Sequence, residues 1–408
     1  MTDSKKRRIR DFGGKNPAGG GELLNCCGLL IRNARLEKNW SQEGLCKGIC
    51  SVPYLSKIEQ GKAEPSEEIA GALFARLGFT AVLEKDFSAF AEKLRDSCLE
   101  AVFSLDFASA EKLLSAAVND RERLLHCAFA LDFMLLYELV NETGEGKPLL
   151  PVFEPYMNAE QLALQHILLK KYDEAARLFP CAYTLCLCGE NAYAGGEALK
   201  ATELLQKAYD LAAAEGRAGI MLRSRTILGN CCSNSGNIPA MLRHYTVAKR
   251  LAATLGEENS LRDIDYNIAS TQIEAGNYKE AYAYFSALEN PGLMDLHKLA
   301  ICCEKLGLKD EALAALRRAR GLDPPEFIGD AHIAENMLRL VRFRILNRSY
   351  LQSGIYRSLL FSVFDSCRKS LPVGYAVFHL PWVLEWYTSA RQYKQAFELL
   401  RDFPEYHI

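Results

Sequence analysis

Between residues 22 and 78 the apolar positions fall into short helical stripes, each cut off by polar or glycine punctuation. Leu23, Leu30, Ala34 and Leu36 predict a first helix from Glu22 to about Asn39, with those four side chains turned to a core. Ser41 is placed to cap a second helix, to which Leu45 and Ile49 give an apolar face. Cys46 is the small residue there that lets a third helix pack close. Ser51 caps that third helix, and Pro53 is tolerated because the first turn needs no amide donor. Leu55 and Ile58 turn inward, which leaves Val52, Pro53, Tyr54, Ser56 and Lys57 near or on the outward face. Gly61 stops the helix, and Pro65-Ser66 opens a fourth that runs to Leu77.

Further along, the pattern repeats every 40 residues. GEALKATELLQKAYDLAAAEG at 196–216 and GNIPAMLRHYTVAKRLAATLG at 236–256 coincide at Gly196/Gly236, Ala208/Ala248, Leu211/Leu251, Ala212/Ala252, Ala213/Ala253 and Gly216/Gly256. A third copy opens at Gly276, and a fourth at Leu306 after a shorter spacing. If Ala175, Ala201, Met241, Ala281 and Ala312 mark where a second helix crosses the first, the partners twelve positions earlier are Ala163, Gly189, Gly229, Ala269 and Ala300. All are small, as a close crossing requires. The expectation is an α-solenoid of stacked helix pairs over residues 83–321, ended by Asp323-Pro324-Pro325. Residues 322–408 add aromatic helices around Trp382, Trp386, Tyr387 and Phe397, which either cap the stack or dimerise. The whole is read as all-α.

Charge sharpens this division. Residues 1–62 carry 12 Lys/Arg against 6 Asp/Glu, and the rest of the chain 37 against 45. A basic head on an acidic body suits a nucleic-acid-binding module joined to something that must avoid nucleic acid. Residues 1–21 are Lys/Arg-rich, then Gly-rich, and are read as a flexible basic arm, either a solvated tail or an extra contact to DNA. The 14 cysteines include adjacent pairs and lack zinc spacing, so they are expected to be buried, reduced thiols and no metal site. No apolar run is long enough for a membrane span, and no secretory signal is visible, so a cytoplasmic protein is expected.

The two helices around SQEGLCKGICSVPYLSKIEQGK (41–62) have the layout of a helix-turn-helix, which lays its second helix in the major groove of DNA. That stretch resembles the Xre-type, lambda-repressor-like fold. More narrowly, Gly48-Ile49-Cys50-Ser51 followed by Tyr54-Leu55-Ser56-Lys57-Ile58-Glu59-Gln60-Gly61 resembles the RRNPP regulators, which join such a domain to tetratricopeptide repeats that bind a short signalling peptide. The resemblance implies a DNA-binding domain at 22–80, a peptide-sensing domain at 83–321, and a homodimer acting in quorum sensing. It implies that Gln42 and Lys62 hold phosphates, and that Val52, Pro53, Tyr54 and Lys57 meet bases or backbone. With Ser51 and Ser56 these complete the candidate DNA-binding set. Arg35 and Glu59 match a structural ion pair of that fold. Val52 and Pro53 stand where base-reading polar side chains are commoner, so fit to thymine methyls or DNA shape is expected to carry more of the specificity.

In the repeat register the first helices line a concave face. Glu190, Tyr193, Arg223, Thr226, Asn230, Asp263, Tyr266, Asn267 and Ser270 fall on or beside it and form the candidate peptide-binding set. An Asn amide pairs with a peptide group through both donor and acceptor, and an Arg takes a carboxylate. No phosphate loop, HExxH or nucleophile elbow is present, so no enzyme and no cofactor are expected. Two rival readings remain open from sequence: an Xre-type repressor with no ligand, and a repeat scaffold that binds a protein partner.

Overall fold

The structure, a computed structural model, describes residues 21–78, 85–140, 147–149, 151–325 and 328–403. The basic arm assigned to 1–21 lies almost wholly outside them, as does the expected start of the repeats at Leu83. Among the described residues every regular element is a helix. The chain divides into two compact units, Met1–Pro180 and Cys181–Ile408.

The first unit opens with α1 (Gly21–Glu37), α2 (Gln42–Cys46), α3 (Val52–Glu59) and α4 (Glu67–Leu77). Their core holds Leu30, Ile31, Leu45, Leu55, Ile58, Leu73 and Phe74, all buried. Each of the last three helices starts at a serine. Ser41 Oγ accepts from the Gly44 amide at 3.0 Å, Ser51 Oγ from Tyr54 at 3.4 Å, and Ser66 Oγ from Ile69 at 3.3 Å. Gly28 is where α1 meets α3: a Cβ there would sit 1.9 Å from the Ile58 carbonyl oxygen, so only glycine fits.

Two sequence expectations fail here. Leu36 is 49% exposed, because it lies off the α1 stripe of Cys27, Leu30, Ile31 and Ala34. Ile49 is not on α2, which ends at Cys46; it packs half-buried against the same core from the turn, next to Gly48 at φ +77°.

The rest of this unit is α5 (Lys85–Phe103), α6 (Phe107–Ala116), α7 (Arg121–Leu124), α8 (Ala130–Leu139), a 3-10 turn at Pro151–Tyr156, α9 (Ala159–Leu168) and α10 (Tyr172–Leu178). A small second core of Leu29, Leu131, Phe153 and Met157 ties α1 to α8 and to that turn.

The second unit is a stack of helical hairpins. In order they are α11 (Ala182–Ala194) with α12 (Ala198–Glu215), α13 (Ala218–Asn234) with α14 (Ile238–Leu255), and α15 (Glu258–Glu274) with α16 (Tyr278–Ser286). Then follow α17 (Leu293–Leu306) with α18 (Lys309–Ala319), α19 (Ala331–Leu346) with α20 (Gly354–Ser370), and α21 (Val373–Ser389) with α22 (Tyr393–Leu400). The predicted crossing residues are buried, among them Ala201, Met241, Ala281 and Ala312. Their partners have no spare room: a Cβ on Gly229 would meet Tyr245 Cε1 at 2.3 Å. The larger core lies among α15 to α21, with Phe285, Ile301, Met337, Phe364 and Trp382 in its interior.

Candidate DNA-reading helix and the polar face of the repeats

The orientation of α3 is set by a buried ion pair. Glu59, 2% exposed, accepts from Arg35 Nε at 2.6 Å and Nη2 at 2.8 Å, while Arg35 Nη1 donates to the Trp40 carbonyl at 2.7 Å. Hydrogen bonding to Glu59 raises Arg35 above its already high value. Gln42, the first residue of α2, donates from Nε2 to Glu59 Oε2 at 2.7 Å. Its amide therefore ties α2 to α3, with one N–H engaged inside the fold.

On the outer side of α3, Val52, Pro53 and Lys57 stand exposed together. The neighbouring polar groups have partners of their own. Ser51 Oγ is the helix cap, Tyr54 donates its hydroxyl to the Glu64 carbonyl at 3.0 Å, and Ser56 Oγ accepts from Gln60 Nε2 at 3.0 Å. Lys62 Nζ, just beyond the helix, donates to Gln60 Oε1 at 2.8 Å. The protruding surface is thus apolar at its N-terminal end and cationic one turn later.

Two residues that sequence reasoning passed over hold this face in place. Arg76 Nη1, from the last turn of α4, donates to the carbonyls of Leu45 and Lys47 at the open end of α2. The Tyr156 hydroxyl donates to the Glu59 carbonyl at the end of α3, and its ring lies 3.1 Å from where a Cβ on Gly61 would be. Tyr156 is 97 residues from Glu59 in a segment with no periodicity, so no local signal marks it.

In the second unit the predicted face is already knit together. Arg223 on α13 grips Glu190 on α11, with Nη2 to Oε1 at 2.5 Å and Nε to Oε2 at 3.2 Å. Asn230 Oδ1 accepts from the Tyr245 hydroxyl at 2.5 Å and from Asn267 Nδ2 at 3.3 Å, which links α13, α14 and α15. The Tyr193 hydroxyl and Asn234 Oδ1 both face Gly374, and burial pushes the Tyr193 phenol up to about 12 although Asn234 and Asn230 oppose the shift. Thr226 is not part of this network, because its hydroxyl donates to the Leu222 carbonyl of its own helix at 3.0 Å.

On α15, burial raises Asp263 above the usual carboxylate range although Arg262 and Arg223 oppose the shift. Tyr266 sits edge-on to Phe285 at 5.8 Å, its hydroxyl enclosed and unbonded. Ser270 lies half-buried one turn beyond.

The same part of the unit holds charges that sequence reasoning missed. Lys298 on α17 is 3% exposed, with Nζ 2.8 Å from the Phe378 ring centre. Burial pushes its ammonium down, and Glu274 opposes that. Burial in turn raises the Glu274 carboxyl, with Lys298 opposing. Within LMDLHKLAICCEKL, Lys298 reads as one more solvated charge on an amphipathic helix, which is why it gave no signal. Among the described residues no cluster of His, Cys, Asp and Glu is placed to hold a metal ion, and no helix is long and apolar enough to cross a membrane.

Residues 31–82 match the family model described as helix-turn-helix. Among solved structures the chain is similar to Bacillus thuringiensis PlcR in complex with the peptide PapR7 and DNA, at 14% identity, over 65% of this chain and 96% of that chain, with a TM-score of 0.26. A similarity of that size leaves function to be argued from this chain's own residues. No curated protein matches the chain. Residues 31–82 of the chain are thus a helix-turn-helix domain.

Proposed function

We propose that this protein is a DNA-binding regulator that answers to a short signalling peptide held along the polar face of α11, α13 and α15. The observation that carries the reading is the Asn230–Asn267 pair on successive first helices, with Tyr193 beside it. Each Asn side-chain amide carries both the donor and the acceptor that a peptide group pairs with. In this reading 22–80 binds DNA, 83–321 senses the peptide, and 322–408 caps or dimerises. Val52, Pro53 and Lys57 contact the operator directly, with Gln42, Ser51, Tyr54, Ser56 and Lys62 at the margin. The protein acts in the cytoplasm as a homodimer, since half-sites are read about 34 Å apart, or a multiple of that, by two recognition helices.

A specific observation favours a second reading. Glu190, Arg223, Asn230 and Asn267 already satisfy one another, as a purely structural polar layer would. A ligand-independent repressor follows from that.

Footprinting on the DNA upstream of the protein's own gene separates the two. Protection should weaken steeply as salt rises, and should shift when a randomised pool of short synthetic peptides is added. Protection that ignores the peptides would leave the ligand-independent repressor standing. No protection at any salt would end the DNA reading for that site.

A further inference from the structure

A cavity of about 280 Å³ opens in the second unit beside the polar face. One wall is the end of α11 and the turn into α12, from Tyr193 to Ala198. Another is α13, through Cys231 and Asn234, and the opposite wall is the start of α21, through Val373, Ala376 and Val377. The backbone approaches closely there: a Cβ on Gly374 would lie 3.3 Å from Asn234 Oδ1 and 3.6 Å from the Tyr193 hydroxyl. Arg368 and Asp402, paired at 3.1 Å, stand at the remaining side with Phe403.

We infer that this cavity is the anchor pocket for one bulky apolar side chain, aromatic or large aliphatic, of the bound peptide. The inference rests on the peptide-binding reading above and names a feature the peptide must have. Three observations converge on it. First, size: a cavity of about 150 Å³ is enough to hold benzene, so this one takes a whole aromatic side chain with its first main-chain atoms. Second, lining: Leu371, Val373, Ala376, Val377 and Phe403 offer an apolar wall to a ring or branched chain, while Tyr193, Asn234, Arg368 and Asp402 keep the rest of the rim polar, where the main chain of a peptide would lie. Third, position: Tyr193 and Asn234 belong to both the cavity wall and the polar network that includes Asn230. A main chain bonded to those amides delivers a side chain to the opening. The apolar wall of the pocket then sets which peptides bind, while the amides accept any sequence.

The test uses the full chain and a positional-scanning pool of short synthetic peptides, with retained peptides sequenced and affinities measured by fluorescence anisotropy. Retained sequences should be enriched in Phe, Trp, Leu or Ile at one position. Ala194→Trp, which fills the cavity from an exposed wall residue, should weaken the best peptide at least tenfold and abolish that enrichment. Ala198→Phe fills it from the start of α12 and should do the same, so a folding defect in one variant does not decide the matter. Asn230→Ala should weaken all retained peptides and leave the enrichment intact. Peptides retained without apolar enrichment, or retained equally by both filled variants, would overturn the pocket and leave peptide binding standing. If no peptide is retained, the peptide reading fails and the pocket fails with it.

Discussion

Glu59 takes three side-chain donors at once, two from Arg35 and one from Gln42, in a site only 2% exposed. An ionised carboxylate left there without its guanidinium has no water to replace it. Removing one partner of a buried pair costs about 3–5 kcal/mol, so Arg35→Ala should lower the unfolding free energy of the first unit, measured by urea denaturation, by that order and abolish operator binding with it. Lys57 makes the opposite case. It is exposed on α3, so Lys57→Ala should leave the unfolding curve within about 0.5 kcal/mol. Operator affinity should fall, and the slope of log affinity against log salt should shrink by about one. If Lys57→Ala leaves that slope unchanged, the outward face of α3 is not what meets phosphate. The Arg35–Glu59 pair was legible through resemblance alone. Gln42 was legible only as a position, since its bond to Glu59 depends on how α2 is held against α3, and the Arg76 bond that pins the end of α2 comes from 31 residues beyond Leu45.

The first three hairpins of the second unit were readable as elements because they reuse one turn. Gly196, Gly236 and Gly276 fall 40 residues apart at φ +79°, +69° and +80°, conformations that cost other residues energy and so stamp the period on the sequence. α21 carries no such stamp. It packs Ala376, Phe378, His379, Trp382, Val383 and Trp386 inward, contains Pro381, and is apolar nearly all round, so no stripe picks out its partners. Those partners matter for its stability. His379 is 1% exposed and His297 on α17 is fully buried, with their rings 6.4 Å apart. Neither nitrogen of His297 has a hydrogen-bond partner, and His379 Nδ1 lies 2.8 Å from the Tyr375 carbonyl oxygen.

Burial pushes His379 down to about 4 and His297 well below its usual value, with Lys298 adding to both shifts. Both rings are therefore neutral in the fold, whereas the unfolded chain binds protons near pH 6.5. Their contribution to stability is complete above about pH 6.5 and is lost as pH falls toward about 4, by up to about 3 kcal/mol for His379. Thermal melts between pH 7.5 and pH 4.5 should show the second unit losing stability over that interval, and His297→Leu should flatten part of the fall. An unchanged pH slope in that variant would mean the acid sensitivity lies elsewhere.

At the scale of the whole molecule, a basic stretch that holds the helix-turn-helix is followed by an acidic remainder, and two compact units share one chain. If the peptide proposal is right, the link between them is a free energy that can be measured without knowing how the units are arranged. Should a peptide change operator affinity by some factor, saturating operator DNA must change peptide affinity by the same factor, typically 5–150-fold. The comparison is made on the full chain, by anisotropy with labelled peptide and again with labelled DNA. Variants sharpen it, because each acts on one side only. Lys57→Ala should weaken DNA and Asn230→Ala should weaken peptide, yet the coupling factor should survive in both, since neither residue is asked to carry the change between units. Ala194→Trp behaves differently if the anchor side chain is what drives the response: residual binding through the amides would persist with a coupling factor near one. Unequal factors in the two directions for the unmodified chain would show that the peptide acts outside the binding equilibrium, for example by changing the oligomer, and the search for the switch would move to α19–α22.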